Sequence, residues 1–179
     1  GILTVDAIAP SNQNLVYPSS STVGVSKPVS INVSSAFPGN GGSSSDTVWL
    51  APAGMTTFAA GPTMTSANGD ATTITSPAAG GTYYVYVLDS VGNASPASTA
   101  TLTVDATAPT NQDDVFDTPA TVGSAKPVTI AASSATGGES TDTVWLAPAG
   151  TTSFVANGTT ITTAGGDAVR DNHDRATIV

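Results

Sequence analysis

The stretch TVDAIAPSNQNLVY at 4–17 returns as TVDATAPTNQDDVF at 103–116, and TVGVSKPVSI at 22–31 returns as TVGSAKPVTI at 121–130, both at an offset of 99 residues. DTVWLAPAGMTTF at 46–58 returns as DTVWLAPAGTTSF at 142–154, an offset of 96 that absorbs a three-residue deletion in the loop PGNGGSSS. A repeat of about one hundred residues is the size of one small β-sandwich, and exceeds the units of about 20–50 residues that stack into solenoids. Two such sandwiches in tandem are therefore expected within 179 residues.

The pattern inside each copy points to strands. In copy one, short apolar or alternating runs at 22–25, 28–34, 46–51, 56–59, 62–65, 71–75, 82–89 and 98–104 are separated by Gly, Pro, Asn or Ser. No window of helical length shows an apolar i, i+3, i+4 stripe free of Gly or Pro. In DTVWLAPAG, alternation puts Val48 and Leu50 on one face and Trp49 on the other, and Pro52 and Gly54 suit a type I turn. In GTYYVYVL the faces are Tyr83, Val85, Val87 and Tyr84, Tyr86, Leu88, apolar on both sides, as in the middle of a sheet. Trp49, Trp145, Tyr84 and Tyr86 are expected in the core.

Composition agrees. Ser and Thr exceed a quarter of the chain, with 18 Gly and 12 Pro, while only 9% of residues are charged, so the Glu/Lys/Leu signature of helices is missing. A net charge of −9 with Lys27, Lys126, Arg170 and Arg175 as the only cations gives no basic stripe for nucleic acid or anionic lipid. There is no cysteine for disulfides or thiolate metal sites. The longest strongly apolar run, YYVYVL at 83–88, is too short to cross a bilayer, and nothing marks a signal peptide. The composition points to export to the cell surface or medium, with any leader already removed.

The succession KPVSI, DTVWLAP, GTYYVYVLDSVGN and TATLTVDATAP resembles the bacterial immunoglobulin-like (Big-type) tandem repeats of cell-surface proteins, adhesins and S-layer proteins. The resemblance covers copy one and copy two up to about Ala168. It implies an all-β chain of two immunoglobulin-like β-sandwiches and a structural or adhesive role rather than an enzyme. Fold alone assigns no ligand.

Copy two departs after GGDA at 165–168, where VRDNHDRATIV stands in place of the Tyr-rich and closing strands. The expected domains are thus an orphan closing strand at 1–5, a first sandwich at 6–104, and a second at 105–179 that lacks its last strands in cis and ends in a divergent tail at 169–179. Gly1, Ile2, Leu3, Thr4 and Val5 align with ATLTV at 100–104, a closing strand with no domain before it. Surplus at one end and deficit at the other fit an inter-subunit strand added head to tail, building a filament, pilus or surface layer from copies of the chain. They fit equally a piece cut from a longer array.

Several residues are candidates for chemistry. Asp6, Asp89, Asn93, Asp105, Asp113 and Asp114 offer hard oxygen ligands for calcium near the domain junction, yet copy one carries Asn14 and Leu15 where copy two has Asp113 and Asp114, which favours solvated turn caps. No other cofactor is expected. Arg170, Asp171, His173, Asp174 and Arg175 form the densest polar cluster, lacking a nucleophile or thiolate, and read as a solvated turn or subunit contact. Lys27 and Lys126 could enter isopeptide cross-links such as some similar surface sandwiches contain, but their place before proline at a strand start suggests exposed side chains. Asn32, Asn93 and Asn157 open N-x-S/T glycosylation sequons. Trp49 and Trp145 would be stacking platforms if the chain bound a cell-surface glycan as an adhesin or carbohydrate-binding module.

Overall fold

A computed structural model describes residues 1–116, 121–124, 126, 128–138, 141–157, 160–165 and, by backbone pairing, 175–178. The architecture is all-β, strands joined by short helical turns, and the chain divides into two compact units, Gly1–Thr107 and Ala108–Val179.

In unit 1 a single helical turn, α1 (Gln13–Val16), precedes β1 (Ser21–Gly24) and β2 (Pro28–Ser30). After two 3-10 turns come β3 (Thr47–Ala51), β4 (Thr65–Asn68), β5 (Thr73–Thr75), β6 (Gly81–Leu88) and β7 (Thr101–Asp105). Five strands form one sheet in the order β1-β7-β6-β3-β4, and β2 with β5 forms a second. All pairings are antiparallel except β1 with β7, which is parallel.

The two sheets share one core. Val48 and Leu50 of β3, Val85 and Val87 of β6, and Leu102 and Val104 of β7 meet Val29 and Ile74 of the small sheet, with Val16 and Tyr17 closing one end. Alternation places these side chains inward, and burying each is worth about 1.5–3 kcal/mol.

Several strand expectations shift. The run 28–34 stops at Ser30 and turns into a 3-10 helix at Ser34–Ala36. No strand forms at 56–59, and the run placed at 62–65 lies at Thr65–Asn68, after a bridge between Gly61 and Met64. The closing strand begins at Thr101 rather than 98. Upstream of it, Ser95 and Ser98 follow β6 through their hydroxyls, which accept the N–H groups of Val87 and Val85, both at 2.9 Å. Pro96 between them has no N–H to give to a ladder.

The aromatic core also differs from expectation. Tyr83, not Tyr84, points into it, while Trp49 and Tyr84 are half-buried on the opposite face of the sheet. Tyr86 is buried on that outer face, edge-on to Phe58 with centroids 5.1 Å apart. Its hydroxyl accepts Gly54 N–H and donates to Pro52 O, both at 3.1 Å, pinning the turn after β3. Trp145 is likewise half-buried.

Unit 2 repeats the beginning of this plan: α2 (Gln112–Val115), β8 (Val128–Ala131), a 3-10 turn at Ser133–Ala135, β9 (Thr143–Leu146), β10 (Thr162–Gly165) and β11 (Arg175–Ile178). β9 pairs with β10 as β3 pairs with β4. β11 pairs with β8 so that Ile178 faces Val128 and Thr177 faces Thr129, which is the register of Ile74 on Val29 and Thr73 on Ser30. Within the stretch expected as a divergent tail, residues 175–178 therefore take the position of β5. Its polar part, Arg170, Asp171, His173 and Asp174, lies outside the described residues, and Arg175 opens β11.

Candidate functional site

β3 is flanked on both sides, by β4 and by β6, with Trp49 opposite Tyr86 and Val48 opposite Val87. Its repeat β9 pairs, among the described residues, with β10 alone. Along β9 and α2 lies a cleft of about 190 Å³ whose apolar lining is Val115, Phe116, Ile130, Val144, Trp145 and Leu146. The equivalent surface of unit 1 is in contact with β6, which packs against both β3 and α1.

The consequence shows residue by residue. Val48 and Leu50 have no exposed surface, whereas Val144 and Leu146 are only half-buried. Tyr17 is 3% exposed and its counterpart Phe116 is 38% exposed. Gln13 is buried and Gln112 exposed. Among the described residues, the side of β9 that corresponds to the β6 side of β3 is a strand edge with an apolar floor, the chemistry that accepts an added strand.

One end of the cleft is polar. Asn111 Nδ2 donates to Ser133 Oγ at 2.8 Å, and Ser133 Oγ donates to Asp142 Oδ2 at 2.6 Å. Unit 1 carries the same chain of groups: Asn12 Nδ2 to Ser34 Oγ at 2.6 Å, Ser34 Oγ to Asp46 Oδ2 at 2.6 Å, and Ser43 N–H to Asp46 Oδ2 at 2.7 Å. All three side chains in unit 1 are at most 2% exposed, so no substrate atom reaches the serine, and the network ties the helical turn to the 3-10 turn and the start of β3. A β-carbon at Gly42 would overlap Ser34 O, and one at Gly138 would overlap Ser133 Oγ, so both loops need glycine beside the network. Sequence reasoning passed over this network, although its signal was available: Asn12, Ser34 and Asp46 recur as Asn111, Ser133 and Asp142.

The candidate calcium ligands divide. Asn93 Nδ2 donates to Asp89 Oδ2 at 2.8 Å and to the backbone carbonyl of Asp6 at 3.3 Å. Burial pushes the Asp89 carboxyl up, but hydrogen bonds from the Asn93 side chain and from the N–H groups of Asn93, Val91 and Gly92 outweigh it and hold the group below the usual carboxylate range. Asp6 Oδ1 caps Ile8 N–H at 3.0 Å and Asp105 Oδ1 caps Thr107 N–H at 2.7 Å. Asp113 and Asp114 are exposed on α2. Among the described residues no three His, Cys, Asp or Glu side chains gather as a metal site.

The remaining candidates lie apart. Gly1, Ile2, Leu3, Thr4 and Val5 are exposed and form no strand, with Ile2 97% and Leu3 87% exposed. Lys27 and Lys126 are exposed. Of the sequon asparagines, Asn32 gives its amide to Leu15 O, half-buried Asn93 is committed as above, and exposed Asn157 donates to Thr160 Oγ1. Each tryptophan is clasped by a phenylalanine, Trp49 by Phe58 and Trp145 by Phe154, both with centroids 5.8 Å apart, and donates Nε1–H to the threonine two residues before it. In comparison with known proteins, no family model, no curated protein and no solved structure matches the chain.

Proposed function

We propose that the chain is a structural extracellular protein, a tandem of bacterial immunoglobulin-like sandwiches that acts as a spacer or as the subunit of a head-to-tail filament, pilus or surface layer. The carrying observation is the contrast between a closed first unit and a second unit whose β9 borders an apolar cleft. No catalytic role is part of this reading, and its partner is another copy of the same chain.

Leu3–Asp6 repeats Leu102–Asp105, in which Leu102 and Val104 are the inward pair of β7. Leu3 and Val5 of one copy would enter the cleft of the next as that inward pair. Their burial offers roughly 3–6 kcal/mol, about what association itself costs. One strand also fills only one of the two places that β6 and β7 hold in unit 1. Head-to-tail addition is therefore weak and steeply concentration-dependent.

The test is electron microscopy and sedimentation of the chain over a concentration series, beside Leu3→Asp/Val5→Asp. Assembly that rises with concentration and is lost in the variant supports strand addition, and equal assembly of both refutes it. The half-exposed tryptophans favour a second reading, an adhesin or carbohydrate-binding module. Glycan binding abolished by Trp49→Ala with the fold intact would establish that one instead.

A further inference from the structure

We propose that unit 1 is built to bear tension along the chain, through a shear clamp formed by β1 and β7. The chain enters this sheet at β1 and leaves it at β7, and these two strands are direct neighbours. They run parallel, with Ser21 beside Leu102, Thr22 beside Thr103, Val23 beside Val104 and Gly24 beside Asp105. Entry and exit therefore lie at opposite ends of the shared ladder. Pulling on the two ends slides the strands past each other along their axes, and the whole ladder carries load at once. In an antiparallel pair, entry and exit share one end, and the bonds open one pair at a time.

The surroundings suit that role. Leu102 and Val104 lie in the core with Val23 packed against them, so one side of the ladder is closed to water, where hydrogen bonds are harder to exchange. The chain upstream of β1 is fastened before load reaches the clamp. Ser11 N–H donates to Asn40 O at 2.9 Å, Val16 and Tyr17 are buried, and Asn12 is held in the buried network with Ser34 and Asp46. Asn14 Oδ1 and Ser20 Oγ accept the N–H groups of Thr99 and Thr101, at 2.7 and 2.9 Å, stitching the entry segment to the start of β7. The inference holds for a spacer and a filament subunit alike and does not rest on strand addition.

The 179-residue chain contains no cysteine, so pulling handles can be placed at will. The full chain is stretched by optical tweezers through Ser19→Cys and Thr107→Cys, at the entry end of β1 and the exit end of β7, which loads the clamp in shear. The comparison uses Ser19→Cys and Thr99→Cys, where both handles sit at the same end and the ladder is peeled. All three positions are exposed. The shear pair should rupture in one step that releases about 300 Å of chain, at a higher force than the peel pair. Equal forces in the two geometries, or a stronger peel pair, would overturn the proposal.

Discussion

Leu50 and Leu146 occupy the same place in two copies of one sequence, so truncating each to alanine measures what the missing neighbour of β9 is worth. Leu50 has no exposed surface and shares the core with Val29 and Ile74 of the small sheet and with Val85 and Val87 of the neighbouring β6. Leu50→Ala should cost about 3–4 kcal/mol, the transfer energy of the lost atoms plus the cavity they leave. Leu146 is half-buried on the wall of an existing cleft of about 190 Å³. Its truncation enlarges a space that is already open and forfeits only partial burial, about 1 kcal/mol. The two tryptophans fall one in each unit, so fluorescence in urea separates the transitions. Trp145→Phe isolates unit 1 and Trp49→Phe isolates unit 2. Leu50→Ala should lower its midpoint by about 1 M or more and Leu146→Ala by well under half of that. Equal losses would show that β9 is packed as tightly as β3 and would remove the open edge on which the functional reading stands.

Three further outcomes follow from the same geometry. Ser34→Ala leaves Asp46 and Asn12 each short of a buried partner and should destabilise unit 1 by about 1–3 kcal/mol in urea titration, although the change is one oxygen atom. Because the folded-state pKa of Asp89 is depressed, its contribution to stability is present above the unfolded value near 4 and is lost as pH falls through the folded value. NMR titration should find the Asp89 carboxyl moving up toward the ordinary range in Asn93→Ala, and an unmoved titration would refute the assigned cause. The melting temperature should be the same in calcium and in chelator, since the Asp89 carboxylate already accepts the Asn93 amide and the Asp6 carboxylate caps Ile8 N–H. A rise of several degrees with calcium would contradict this.

Much of the strand pattern was legible because it is local. Alternation in TVWLA and in GTYYVYVL sorted side chains into two faces correctly, and the turn chemistry around Pro52 and Gly54 marked the end of β3. Which face turns inward was not legible, since both sides of β6 are apolar. Trp49 and Tyr84 are expected inward, yet the core forms beneath Tyr83, Val85 and Val87 because the small β2–β5 sheet covers that side. On the opposite side, Tyr86 and Phe58 hold the turn after β3 against the sheet. The run at 56–59, expected as a strand, instead places Phe58 against Trp49.

The duplication at offsets of 99 and 96 residues, the short strands within each copy and the lack of any thiol in the chain can all be read from the order of residues alone. These properties reside in composition and in periodicity over a few residues. What depends on residues far apart comes from packing. It brought β1 beside β7 across some eighty positions, gathered Asn12, Ser34 and Asp46 from three segments, and placed β11 in the register of β5. Alternation says that a strand has two faces, and only packing against a partner says which face is buried and which edge stays open.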